Sequence, residues 1–238
     1  MPSAADAAAR SLPKADVQWR PGFRLVASRF PPIDLFERVA DPADWDALHA
    51  LESLTNPRLR DATGEIALVP VADRVAGPGA TILMAPFTHL NPVGSRFADA
   101  THGALYLADT LDTAIAETRH HRERFLRATR EPPTEVELRC YLIDVAATLH
   151  DLRGRAADAR YAGAYAPDDY SASQALARAL RAAGSDGLIY DSVRRSGGIN
   201  VAAFRPRLAS NVRQSVHLRY AWNGERITHV YELKLLSG

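Results

Sequence analysis

Gly103-Ala104-Leu105-Tyr106-Leu107-Ala108-Asp109-Thr110 is a short apolar run closed by a helix-capping residue, and the periodicity changes directly after it. Ala104 to Ala108 has the length and apolar character of a buried strand. Thr110 is a favourable N-cap, and Ala114, Ile115, Thr118, His121, Phe125 and Leu126 then recur near one face of a helix. The order strand, turn, helix sets Tyr106 on the strand and Glu117 in the helix's second turn. That geometry predicts the two side chains at neighbouring edges of one cleft.

Downstream, Glu135 to Val145 alternates, with Val136, Leu138, Cys140 and Leu142 on one side, as expected of a strand with one buried face. A helix is predicted from about Asp168 to Ala183, ended by Gly184 as its C-terminal cap. Gly187 to Ser192 and Ile199 to Phe204 read as strands joined by the loop Val193 to Gly198. Asn223-Gly224 is a hairpin signal whose residues tolerate the positive φ angles of a type I′ turn.

Upstream, Ile66 to Val71 and Thr81 to Ala85 read as short strands separated by the Gly77-Pro78-Gly79 turn. Between Phe87 and Gly103 lies a polar, irregular loop with Thr88, His89, Asn91, Ser95, Arg96 and His102. It is a site candidate, because loops held by a scaffold concentrate binding groups. A helix is predicted from Asp41-Pro42 through Trp45, Leu48 and Leu51 to the stop at Asn56-Pro57. Residues 1 to about 20, rich in Ala, Ser, Pro and charge, read as a flexible arm. Strands and helices interleave without βαβ regularity or a Gly-rich dinucleotide fingerprint, so the fold expected is α+β, a mixed or antiparallel sheet flanked by helices.

Length and composition limit the function classes. The 238 residues suit one substantial core with an appendage, and a composition 47% hydrophobic and 24% charged belongs to a chain that folds. Lys plus Arg total 29 against 28 Asp plus Glu, so no basic field is expected to draw nucleic acid by its phosphates. Arg greatly outnumbers Lys, and its planar fork suits phosphate and carboxylate. The single cysteine, Cys140, excludes an internal disulfide or a cysteine-based zinc cluster and reads as a core residue. With no long apolar span and no signal-peptide core, no membrane association is expected and the location inferred is cytoplasmic.

Two constellations carry chemistry. One is Ser95-Arg96-Phe97 with Tyr106 and Glu117. The other is Tyr190-Asp191-Ser192-Val193-Arg194-Arg195-Ser196-Gly197-Gly198 with Asn200, a loop able to offer backbone N–H groups and guanidinium forks to a pyrophosphate. Each has a plainer reading: a surface glutamate, a core tyrosine, a polar hairpin loop. Ser192 lacks the Gly-x-Ser-x-Gly elbow of a hydrolase nucleophile. Glu117 and His121 at i and i+4, with His120 beside them, could bind a metal or simply touch on the helix surface.

These motifs, in their order, resemble the RES domain: Leu35-Phe36-Glu37-Arg38, Gly94-Ser95-Arg96-Phe97, Gly103 to Ala108, Thr113-Ala114-Ile115-Ala116-Glu117 and Tyr190-Asp191-Ser192-Val193-Arg194. The family is named for Arg, Glu and Ser positions, which fall here on Arg96, Glu117 and Ser192. The resemblance implies an ADP-ribosyltransferase-like fold and the toxin half of a bacterial toxin-antitoxin pair, partnered by an Xre-type helix-turn-helix antitoxin. It implies NAD+ as substrate, with no cofactor, cleaved at the nicotinamide-ribose bond by hydrolysis or phosphorolysis; the alternative is mono-ADP-ribosyl transfer to a protein. A non-catalytic binding module is a further alternative, and a homo-oligomer is left open.

On this resemblance Glu117 faces the nicotinamide ribose, Tyr106 borders the nicotinamide ring, and Arg96 binds a phosphate or ribose oxygen. Ser192 orients the ribose or amide, Arg194 and Arg38 assist the pyrophosphate, and Ser95 and Asn200 are further binding candidates. Residues 1–34 are expected as an arm and 35–238 as the catalytic domain, with 35–80 a family-variable extension. The usual Asn after the Arg-aromatic pair is Ala98 here, so another group must grip the backbone in its place.

Overall fold

The computed structural model describes residues 3–27 and 64–234. In chain order these form α1 (Ala4–Ser11), β1 (Lys14–Ala27), α2 (Ala80–Thr88), β2 (Leu105–Ala108), α3 (Leu111–Ala128), β3 (Thr134–Asp151), α4 (Ser171–Ala182), β4 (Gly187–Asp191), β5 (Ile199–Ala203), β6 (Ala209–Trp222) and β7 (Ile227–Leu233). The strands run in the order β1-β2-β5-β4-β3-β6-β7, and β1 also pairs with β3. That second pairing closes β1, β2, β5, β4 and β3 into a ring, from which β6 and β7 extend. β3 and β4 are parallel at His150↔Leu188 and Asp151↔Ile189; the other pairings are antiparallel. The fold is the mixed α+β arrangement expected. Among the described residues no helix is long and apolar enough to cross a membrane.

The N-terminal segment differs from the flexible arm expected. Ser3 caps α1 in a reciprocal capping box with Asp6, and Ala8, Ala9 and Leu12 bury against Leu176, Ala177 and Leu180 of α4. β1 then runs against β3 from Lys14↔His150 to Ala27↔Leu138, with an irregularity between Trp19 and Gly22 where Pro21 has no N–H to pair. The small apolar residues of this segment have little hydrophobic signal of their own; the partner surfaces over a hundred residues away order it. β3 is likewise longer than its alternating stretch, because β1 and β4 pair with its Ala146–Asp151 end.

Two expected strands are helical. Ile66–Leu68 is a short 3-10 helix, and Thr81 to Ala85 lies inside α2. A short apolar run has no period that separates strand from buried helix. Gly79, at φ 82°, starts α2, whose Ala80, Leu83, Met84 and Phe87 join Ile66 and Val69 in the core over β3. The terminal hairpin stands, but its turn is wider than type I′. Asn223 Oδ1 accepts from the N–H groups of Glu225 and Arg226, and of its residues only Gly224 has positive φ. The helix expected from Asp41 lies outside the described residues.

Candidate active site

Glu117 projects from α3, which Thr110 starts by accepting from Thr113 N–H. Its Oε1 accepts hydrogen bonds from Ser192 Oγ at 2.7 Å and from Asn200 Nδ2 at 2.8 Å. Asn200 stands buried on β5, and Ser192 follows the last residue of β4. Ser192 Oγ in turn accepts from Arg194 N at 3.1 Å and Arg195 N at 3.0 Å, so one hydroxyl both shapes the loop and orients the carboxylate. Gly198 fits this loop against α3: a Cβ there would meet Thr113 Oγ1 at 2.7 Å and Cγ2 at 2.8 Å. Two residues 75 and 83 positions away therefore fix one carboxylate, leaving Oε2 without a side-chain donor among the described residues.

The carboxylate faces a cleft of about 760 Å³, within the range of small-molecule sites, lined by β1, β2, α3 and the loop after α2. Ser192 is not part of the lining; it acts on the cleft through Glu117. Tyr190 and Tyr106 also line it. Burial, then the nearby Glu117, raises the Tyr190 hydroxyl well above its ordinary pKa. Burial likewise raises Tyr106, which bonds Ser95 Oγ at 2.8 Å and accepts from Phe97 N at 2.9 Å. Tyr106 thus ties the Ser95–Phe97 turn to β2 and offers the cleft its ring.

Arg96 is buried and also lines the cleft. Its Nη1 donates to the carbonyls of Ala164 and Ala166, both at 2.8 Å, and its guanidinium lies 5.0 Å from the Tyr170 ring centre. It therefore fastens the cleft wall to the 162–167 segment. The backbone grip absent at Ala98 comes from α4: Gln174 Nε2 donates to Ser95 O at 3.1 Å and Ala98 O at 3.2 Å.

Arg194 lies outside the lining, donating to Pro167 O and 3.5 Å from Asp168. Arg38 lies outside the described residues. His121, one turn beyond Glu117, stands in the cleft mouth, where the surrounding protein and then His120, Arg194, Arg96 and Arg124 push its pKa down to about 4. Among the described residues no group of three His, Cys, Asp or Glu is arranged to hold a metal.

Sequence reasoning missed Gln174, Tyr170 and three lining arginines, Arg24, Arg122 and Arg124. Arg124 was legible as the i+7 neighbour of Glu117 on one helix face. Arg24 had no such signal, because its strand exists only through pairing with β3.

The RES domain family model matches residues 71–223. The uncharacterized protein y4oC of Sinorhizobium fredii (strain NBRC 101917 / NGR234) is 34% identical over 214 residues, covering 88% of this chain and 86% of that protein. Among solved structures, a chain of the M. tuberculosis MbcT-MbcA toxin-antitoxin complex aligns over 98% of this chain and 93% of that chain, at 13% identity and a TM-score of 0.48.

Proposed function

Because this chain belongs to the RES domain family, we propose that its cleft binds NAD+ and that Glu117 promotes cleavage of the nicotinamide-ribose bond. The carrying observation is the Glu117 carboxylate, oriented by Ser192 and Asn200 at the wall of a ligand-sized cleft. The chemistry needs little more. Nicotinamide is attached as a cationic pyridinium and departs neutral, taking the bonding electron pair, so no general acid is required. The ribose carbon left behind has oxocarbenium character, and a pre-oriented carboxylate stabilises its growing charge. Water then gives ADP-ribose and a proton, whereas inorganic phosphate gives ADP-ribose 1″-phosphate.

Arg96 and Tyr106 act in this reading by shaping the wall and bordering the ring. Arg96 Nη1 keeps its bonds to the carbonyls of Ala164 and Ala166 throughout. The reading extends to a toxin restrained by an Xre-type antitoxin that binds this protein.

The test is NAD+ consumption by the wild type and Glu117→Gln, with and without phosphate, with products identified by mass spectrometry. Loss in the wild type alone supports the assignment, and the product identifies the acceptor. Equal loss in Glu117→Gln removes Glu117 from the reaction. Label retained on protein from adenine-labelled NAD+ indicates ADP-ribosyl transfer instead. Rescue of growth by co-expressing an Xre-type helix-turn-helix protein tests the partner.

A further inference from the structure

The Ser192 hydroxyl has one hydrogen to give and two acceptor sites. Arg194 N and Arg195 N fill the acceptor sites at 3.1 and 3.0 Å, which directs the hydrogen to Glu117 Oε1 at 2.7 Å. Its direction therefore depends on where the backbone of residues 194 and 195 sits. Ser192 N donates to Gly198 O at 2.8 Å and Gly198 N donates to Arg195 O at 3.1 Å, closing residues 192–198 into one unit. What has still to be fixed is the tilt of that unit against the cleft.

Side chains on both sides of Ser192 tie the loop to the segment that Arg96 grips. Asp191 Oδ2, before it, accepts from Gly154 N at 2.6 Å and from the Tyr165 hydroxyl at 3.4 Å. Arg194, after it, donates Nη2 to Pro167 O and lies 3.5 Å from Asp168 Oδ1. The Asp168 side chain is 71% exposed, so solvent screens that second contact and the Pro167 carbonyl carries the anchor. The same carbonyl accepts from Arg96 Nη2 at 3.5 Å, so arginines of two distant motifs meet on one oxygen. With its bond to Pro167 made, the Arg194 side chain is 14% exposed and lies outside the cleft lining. We propose that Arg194 is a positioning residue, which ties the 192–198 loop to Pro167 and thereby holds the Ser192 hydroxyl toward Glu117. This is a different part from the diphosphate contact expected of its motif. Its effect on turnover rests on the NAD+ reading; the anchor itself rests on the hydrogen bonds.

The experiment is steady-state NAD+ cleavage by the full chain and its Arg194 variants, beside calorimetric titration with ADP-ribose and amide hydrogen exchange followed by NMR. Arg194→Gln is expected to lower kcat about tenfold, with KM and the ADP-ribose Kd within about twofold of wild type. Arg194→Lys still reaches the carbonyl and should recover much of the loss. In a Ser192→Ala background Arg194→Gln should add less than about threefold, because the hydroxyl it positions is gone. The Arg195 amide should exchange faster in Arg194→Gln but not in the control Arg213→Gln, at an exposed pair with Asp144. His120 reports the guanidinium's place: burial and then Arg194 lower its pKa, Asp168 and Glu117 raise it, and Arg124 lowers it. Removing the Arg194 cation should therefore raise the His120 pKa. Arg194→Met, which keeps the apolar stem, takes the place of a glutamine variant that fails to fold. Weakened ADP-ribose binding or a raised KM with kcat unchanged makes Arg194 a ligand contact and overturns the proposal, as does full additivity with Ser192→Ala. If the wild type leaves NAD+ intact, the cleavage reading fails and exchange decides the anchor: faster exchange at Arg195 sustains it, and unchanged exchange overturns it.

Discussion

Arg96 and Arg24 both line the cleft, yet among the described residues Arg96 gives three hydrogen bonds to backbone carbonyls and Arg24 gives one. Arg96 lies in a recognisable motif and gives Nη1 to two carbonyls across the wall, whereas among the described residues Arg24 has one long hydrogen bond and no partner for Nε. The same side chain is therefore committed to the wall at Arg96 and lightly held, among the described residues, at Arg24. Around Glu117 the pattern resembles that of Arg96: its carboxylate, the Ser192 hydroxyl and the Asn200 amide are mutually committed. A pre-satisfied network fixes geometry before substrate arrives.

The largest effect that would sharpen this contrast is at the carboxylate. Glu117→Gln should reduce NAD+ turnover about 10³-fold with an unchanged thermal midpoint, checked by product analysis and calorimetry. Next, Ser192→Ala should lower kcat roughly 10- to 100-fold with little change in KM, because it removes an orienting donor rather than a substrate contact, and Ser192→Thr should recover much of the loss. A large rise in KM instead would place Ser192 on the substrate.

Arg96→Lys tests the other wall. An ammonium does not reproduce the guanidinium's reach to both carbonyls, and urea unfolding should show a loss of about 1–3 kcal/mol. If stability holds and only KM rises, Arg96 serves the ligand and the contrast with Arg24 fails. Gln174→Leu should cost about 1 kcal/mol by freeing the carbonyls of Ser95 and Ala98. The smallest signal is at Cys140, whose thiol burial pushes up to about 11; alkylation at pH 8 should be negligible until the protein is unfolded.

What was legible locally was legible for a local reason. Thr110 as cap, the stripe from Ala114 to Phe125, the alternation around Cys140 and the Gly184 stop each specify an element through neighbours a few residues away. Glu117, Ser192 and Asn200 were identified as residues before any geometry, through their motifs. Where local signal was weak the expectation failed: the apolar run at Thr81 to Ala85 fits strand or buried helix equally, and α1 and β1 offer small residues and an interrupted pattern.

The sequence by itself determined the element types with strong periodicity, the α+β class and the residues able to do chemistry, because these depend on short-range spacing and side-chain identity. Only the tertiary structure decided that Ser192 and Asn200 meet on one carboxylate oxygen, that Arg96 is fastened to the 164–167 carbonyls while Arg24 reaches the Tyr106 carbonyl, and that β1 closes the sheet. These depend on which distant backbone and side-chain groups satisfy one another once water is excluded, and no local pattern encodes that pairing.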